Sequence, residues 1–144
     1  MIIPKYEKNE YNRKRAMKLA KWGIDQLNLK DWSIFLSFVE IDGMSETAKQ
    51  EFKRNDERPS AFVEFNTHSK KASIYVSTEN CKRENESIYF CILHELAHVA
   101  ILPLVSLINT SNSVISRKSN EEQEYLVNLI AHTMTQHYKE IEKK

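Results

Sequence analysis

From Asn9 to Leu29 apolar residues recur at three- and four-residue steps, with Ala16, Leu19, Ala20, Gly23, Ile24 and Leu27 forming the stripe and lysines and arginines between them. That period predicts an amphipathic helix, closed by the break at Asn28 and Asp31. Trp32 to Ile41 changes character: it is rich in β-branched and aromatic residues and predicts a strand. Asp42 to Ser60 is polar, carries Gly43 and Pro59, and predicts a long connection with a short helix around Glu46 to Phe52. Ala61–Phe65 and Ala72–Ser77 read as two further strands, and the polar stretch Asn66 to Lys71 between them predicts an antiparallel hairpin. Ile74 and Val76 then share one face of their strand, with Tyr75 on the other.

Thr78 to Asn85 is polar and leads into a segment of opposite character. Ile88 to Leu102 is apolar on nearly every side, which predicts a buried helix that Pro103 ends or kinks. Leu104 to Ser119 reads as a serine- and asparagine-rich connection, and Asn120 to about Ile141 as the last helix, with Leu126, Val127, Leu129, Ile130 and Met134 on its buried face. No repeat and no internal boundary interrupts this order. Residues 1–144 are therefore expected to form one α+β domain, with an N-terminal helix, a small, mostly antiparallel sheet of about three strands, the apolar helix and a closing C-terminal helix.

Composition narrows the class. The 144 residues include 21 basic and 20 acidic side chains, so no broad basic field for nucleic acid follows. The first residues lack the apolar run of a signal peptide, and the longest apolar stretch, Ile88 to Ile108, contains His94, Glu95, His98 and Pro103 and is not a membrane span. Cys81 and Cys91 lack metal-ligand spacing and are expected to be reduced thiols, Cys91 as a core residue, in a cytoplasmic protein with no membrane partner.

The chemistry lies inside the apolar helix. Residues 94–98 read His94-Glu95-Leu96-Ala97-His98, an H-E-x-x-H pattern. Histidines four positions apart lie one helical turn from each other on the same face, so their imidazoles can converge on one metal ion. Glu95 is placed to take a proton from a metal-bound water. His94, Glu95 and His98 are the groups of this helix that carry charge near neutral pH, and burying them without partners is costly. Metal coordination removes most of that cost. Zn²⁺ suits the donor set, because a catalytic zinc site has three protein ligands and an open position.

The third ligand is not a histidine at the usual spacing. In one zincin class the motif continues H-x-x-G-x-x-H, but Ile101 and Leu104 occupy the places of that glycine and histidine. A carboxylate from the closing helix is the remaining choice, and Glu121, Glu122 and Glu124 compete for it. At about 100° per residue Glu121 falls nearly opposite the apolar face, while Glu122 and Glu124 flank it on either side. Glu124 is preferred over Glu122 because Asn128 lies one turn further along, where its amide can accept a hydrogen bond from the remaining ring N–H of a ligand histidine. His132 and His137 are expected at the surface, His68 in the hairpin loop.

His94-Glu95-Leu96-Ala97-His98 and the segment Glu124 to Ala131 together resemble small gluzincin-type metallopeptidases, compact zincin-like domains of phages and bacteria such as the SprT-like and ImmA/IrrE-like families. The resemblance implies a zincin-like fold, zinc as cofactor, and hydrolysis of a peptide or protein substrate through a zinc-bound water, with Glu95 as general base. Neither a helix-turn-helix nor a cysteine-rich ribbon accompanies the motif, which argues against DNA binding. Two other readings stand beside it. One is a non-catalytic, zincin-fold binding or regulatory protein with a mainly structural zinc, against which the intact Glu95 argues. The other is a metal-free helical interaction domain.

Overall fold

The computed structural model describes residues 5–7, 12–38, 60–102 and 113–144, with the side chains of the last segment described from residue 121 onward. Helix α1 spans Arg13–Gln26 and starts at Asn12, whose side chain accepts a hydrogen bond from the Arg15 N–H at 3.2 Å. It buries Ala16, Leu19, Ala20 and Gly23, the stripe that the periodicity predicts. Asn28, with φ of 55°, ends it: the chain turns into the left-handed region and the Leu29 N–H closes back on the Ile24 carbonyl at 2.9 Å.

Strands β1 (Ser33–Phe38), β2 (Ala61–Asn66) and β3 (Lys71–Val76) form one sheet in the order β1-β3-β2. The β2–β3 hairpin is antiparallel, as expected, and Asn66 caps its turn by accepting from the His68 and Ser69 N–H groups. Ala72, Ile74 and Val76 are buried on the inner face, whereas Tyr75 stacks on Phe62 on the outer one. The expectation of a mostly antiparallel sheet needs correcting. β1 runs parallel to β3, with Ile34 opposite Ala72 and Phe38 opposite Val76, so the sheet is mixed. Alternation along a strand reports which face is buried, not the direction of its neighbour.

After β3 the polar stretch is helical rather than irregular. Ser77 caps a short helix α2, Thr78–Arg83, accepting from the Asn80 N–H at 3.1 Å. Glu79 in its first turn and Lys82 and Arg83 in its last match the helix dipole, a signal that composition alone conceals. Asn85, with φ of 54°, then turns the chain, and Ser87 caps helix α3, Ile88–Ala100, by accepting from the Phe90 N–H.

Helix α3 packs against α1, β2, β3 and the last helix, and ten of its residues are buried. Gly23 sets its distance from α1. A Cβ built there would lie 2.8 Å from a Leu93 methyl and 2.9 Å from a Leu96 methyl. Both leucines are fully buried, so neither has free space to move into.

The last helix, α4, spans Ser113–Glu142. It begins earlier than Asn120, so residues 113–119 of the expected connection are helical. Once a helix is anchored by packing, each added turn needs only propagation, which overrides the weak propensity of serine and asparagine. Its buried stripe also differs from the apolar one: Val127, Ala131, Thr135 and Tyr138 face inward, and Leu129 is 42% exposed. The buried Thr135 hydroxyl donates to the Ala131 carbonyl at 2.6 Å. The structure is thus α+β, and none of its described helices is long and apolar enough to cross a membrane. The expected helix at Glu46–Phe52, the end of the first strand beyond Phe38, Pro103 and residues 104–112 lie outside the described residues.

Replacing Gly23 by Val forces three carbons into the α1–α3 contact. Overpacking of this kind costs about 1–3 kcal/mol, set against a gain of a few tenths from helix propensity. Urea unfolding of Gly23→Val is expected to show a net loss of about 2 kcal/mol; unchanged stability would show that the helices need not meet so closely.

Candidate metal centre

Three side chains from two helices converge at one point. α3 supplies His94 and His98, one turn apart, with ring centroids 4.9 Å from each other. α4 supplies Glu124, one turn before Val127 on the buried stripe. His94 Nε2 lies 3.4 Å from one Glu124 oxygen and His98 Nε2 lies 3.0 Å from the other. One donor atom from each residue falls within 4.8 Å of the others. Zinc holds nitrogen and oxygen donors at about 2.0–2.2 Å, so tetrahedral neighbours sit about 3.3–3.5 Å apart. Each histidine–carboxylate separation is near that spacing, so the trio could hold one ion. Both histidine side chains are 18% exposed and Glu124 is 54% exposed, so the cluster lies on the accessible side of a mostly buried helix.

Glu95 is the buried member of the motif. Its Oε1 lies 3.2 Å from His94 Nδ1, while His94 Nε2 faces Glu124. That geometry assigns the Nδ1 proton to the Glu95 bond and leaves Nε2 as the donor toward a metal. Burial pulls the His94 pKa down, but the hydrogen bond and charge of Glu95, helped by Glu124, outweigh it, and the net shift is upward from 6.5.

Glu121 and Glu122 are exposed and stand outside the cluster, and Gln123 borders it. Asn128 lines a recess with His94 and Glu95 but makes no hydrogen bond to either histidine. His132 is half-buried rather than at the open surface, with Nδ1 lacking a hydrogen-bond partner among the described residues, and His137 stacks on Trp22. His68 lies exposed in the hairpin turn. Tyr138 is packed against Trp22 and Tyr89, about 21 Å along the helix from Glu124 at 1.5 Å per residue, and Tyr125 points to solvent. Cys81 and Cys91 are unbonded and buried, with sulfurs 3.7 Å apart. A larger cavity of about 750 Å³, bordered by Arg15, Tyr89 and Glu142, contains none of the motif residues.

Sequence reasoning missed the residues that shape access. Two recesses border the cluster, of about 300 Å³ and about 140 Å³, and Ala61 and Glu95 belong to both. The larger adds Phe62, Val63 and Phe65 of β2, with His98; the smaller adds Ser60, Glu86 and Cys91, with His94. No spacing rule joins residues 60–65 to the motif, because only the packing of β2 against α3 does so. Comparison with protein-family models, curated proteins and solved structures finds no match to this chain.

Two measurements check the cluster. Glu124→Ala is expected to weaken zinc binding by more than the roughly 10–100-fold typical of groups behind the ligands, and Glu122→Ala to leave it unchanged; the reverse result would reassign the third ligand. In the metal-free chain, His94 ring signals should titrate above 6.5, and Glu95→Gln should lower the midpoint. A folded pKa raised in this way stabilises the metal-free protein below the unfolded value, and the contribution disappears as pH rises through the folded value. Zinc requires the neutral ring, so its own stabilisation must grow over the same interval.

Proposed function

We propose that this chain is a zinc-dependent metallopeptidase of zincin-like type, gluzincin in its ligand set, acting in the cytoplasm on peptide or protein substrates. The observation that carries the reading is the convergence of His94, His98 and Glu124 beside a buried Glu95 whose orientation is fixed by a ligand histidine. His94 and His98, through Nε2, and Glu124, through a carboxylate oxygen, would hold the ion. The chemistry such an ion would supply is Lewis-acid activation of water and of the scissile carbonyl. The half-exposed Glu124 leaves the solvent side open, as a catalytic rather than a closed structural site requires.

Glu95 performs the proton transfers. One carboxylate oxygen is engaged by His94, and the group lies on the shared wall of both recesses. From that position it accepts a proton from the attacking water and delivers it to the amine nitrogen as the C–N bond breaks. Substrate alignment falls to β2. Among the described residues this strand pairs only with β3, so its outer edge offers backbone donors and acceptors to an extended peptide.

With one equivalent of zinc, the protein should cleave members of a peptide library followed by mass spectrometry, and removal of the metal by a chelator should stop it. Glu95→Gln should keep its zinc and lose about 10²–10⁴-fold in kcat/KM. Cleavage by that variant at the wild-type rate would remove Glu95 from the mechanism. A zinc-loaded wild type that cleaves nothing would favour the non-catalytic binding role.

A further inference from the structure

The two recesses that meet at Glu95 differ in chemistry. The larger is walled by Phe62, Val63, Phe65 and Leu102 and suits an apolar side chain. The smaller holds a carboxylate that the metal-centre geometry does not use. Glu86 precedes the Ser87 cap of α3 and is half-buried. The Ser60 hydroxyl donates to its Oε1 at 3.0 Å, and the Cys91 sulfur lies 3.9 Å from its Oε2. Ser60 is itself fixed, because its carbonyl accepts from the Ser77 N–H at 2.8 Å and extends the β2–β3 ladder by one residue.

A carboxylate has about four acceptor positions, so these contacts leave Glu86 with capacity to spare. Neither lysine nor arginine among the described residues forms an ion pair with it. Asn128, on the opposite wall, brings an amide that makes no hydrogen bond with a described residue. The Cys91 thiol is held neutral by its contact with Cys81 and by burial, so it brings no charge. The remaining walls include Phe90 and Ala61. A negative, partly desolvated recess with unused acceptors favours a cation that donates hydrogen bonds.

The recess of about 140 Å³ has room for an extended side chain that ends in a cation. We propose that this recess is a specificity pocket for a lysine side chain of the substrate, with Glu86 as its charge partner and Asn128 as a second acceptor. An apolar residue across the scissile bond would occupy the larger recess. The inference rests on the peptidase reading for its place in a reaction, though not for the binding it describes.

The test uses acetylated hexapeptides carrying leucine beside lysine, arginine, norleucine or glutamate at the two central positions. Zinc-loaded wild type should prefer lysine to norleucine, which has the same carbon chain without the terminal amine, by roughly tenfold to a hundredfold in kcat/KM, the range expected for a hydrogen bond to a charged group. Glu86→Gln should abolish the lysine preference and Glu86→Lys should turn it toward glutamate, each with zinc content and the leucine preference kept. The same peptides are titrated calorimetrically into zinc-loaded Glu95→Gln, alone and combined with Glu86→Gln, where binding is read without turnover. Tighter binding of the lysine peptide that depends on Glu86, with no cleavage by wild type, would sustain the pocket and reject the peptidase. Equal binding or cleavage of lysine and norleucine peptides, or a preference that survives Glu86→Gln, would overturn the pocket and leave the peptidase reading standing.

Discussion

Helix α3 is covered by the sheet on one side and by α1 and α4 on others, and that enclosure governs the rest of the molecule. A helix so placed can be apolar nearly all round, and any polar group on it must find a partner within the protein. His94, Glu95 and His98 meet that requirement together, near the line where α4 brings Glu124. Packing thus does more than stabilise the fold. Gly23 sets the depth of α1 against Leu93 and Leu96, while α4 packs on α3 with Ala131 and Thr135 fully buried. The position of the carboxylate relative to the imidazoles follows from the packing of α4 on α3.

The same enclosure explains what could be read from the chain and what could not. The helix bearing the motif was legible because an apolar run with three ionisable groups has few explanations. Glu124 was legible too, although by a partly mistaken route. The apolar residues placed Leu129 inward, whereas the buried stripe is Val127, Ala131, Thr135 and Tyr138. Glu124 lies one turn before Val127, so the correct phase selects it more firmly than the expected one did.

Elements whose definition depends on partners were harder. The parallel alignment of β1 with β3 is a property of two strands, and alternation within one strand carries no trace of it. Helix α2 was hidden by its polarity, though its Ser77 cap and its acidic-to-basic gradient are local signals. Glu86 and Ser60 could not have been joined from sequence at all. Their contact depends on the hairpin register that places Ser60 beside Ser77 and on the turn at Asn85 that returns the chain toward α3.

The mixed sheet has a kinetic consequence. β2 and β3 are joined by a short turn and can pair at small cost in loop entropy. β1 reaches the central strand only by closing a loop that contains β2, and non-local pairings of this kind are slow. Until β1 docks, Ile74 and Val76 have a neighbour on one side alone, and β3 presents an unpaired edge. Another copy's β1 fits that edge as well as the chain's own does. Exchange of this strand between molecules is therefore the characteristic way for the fold to go wrong at high concentration.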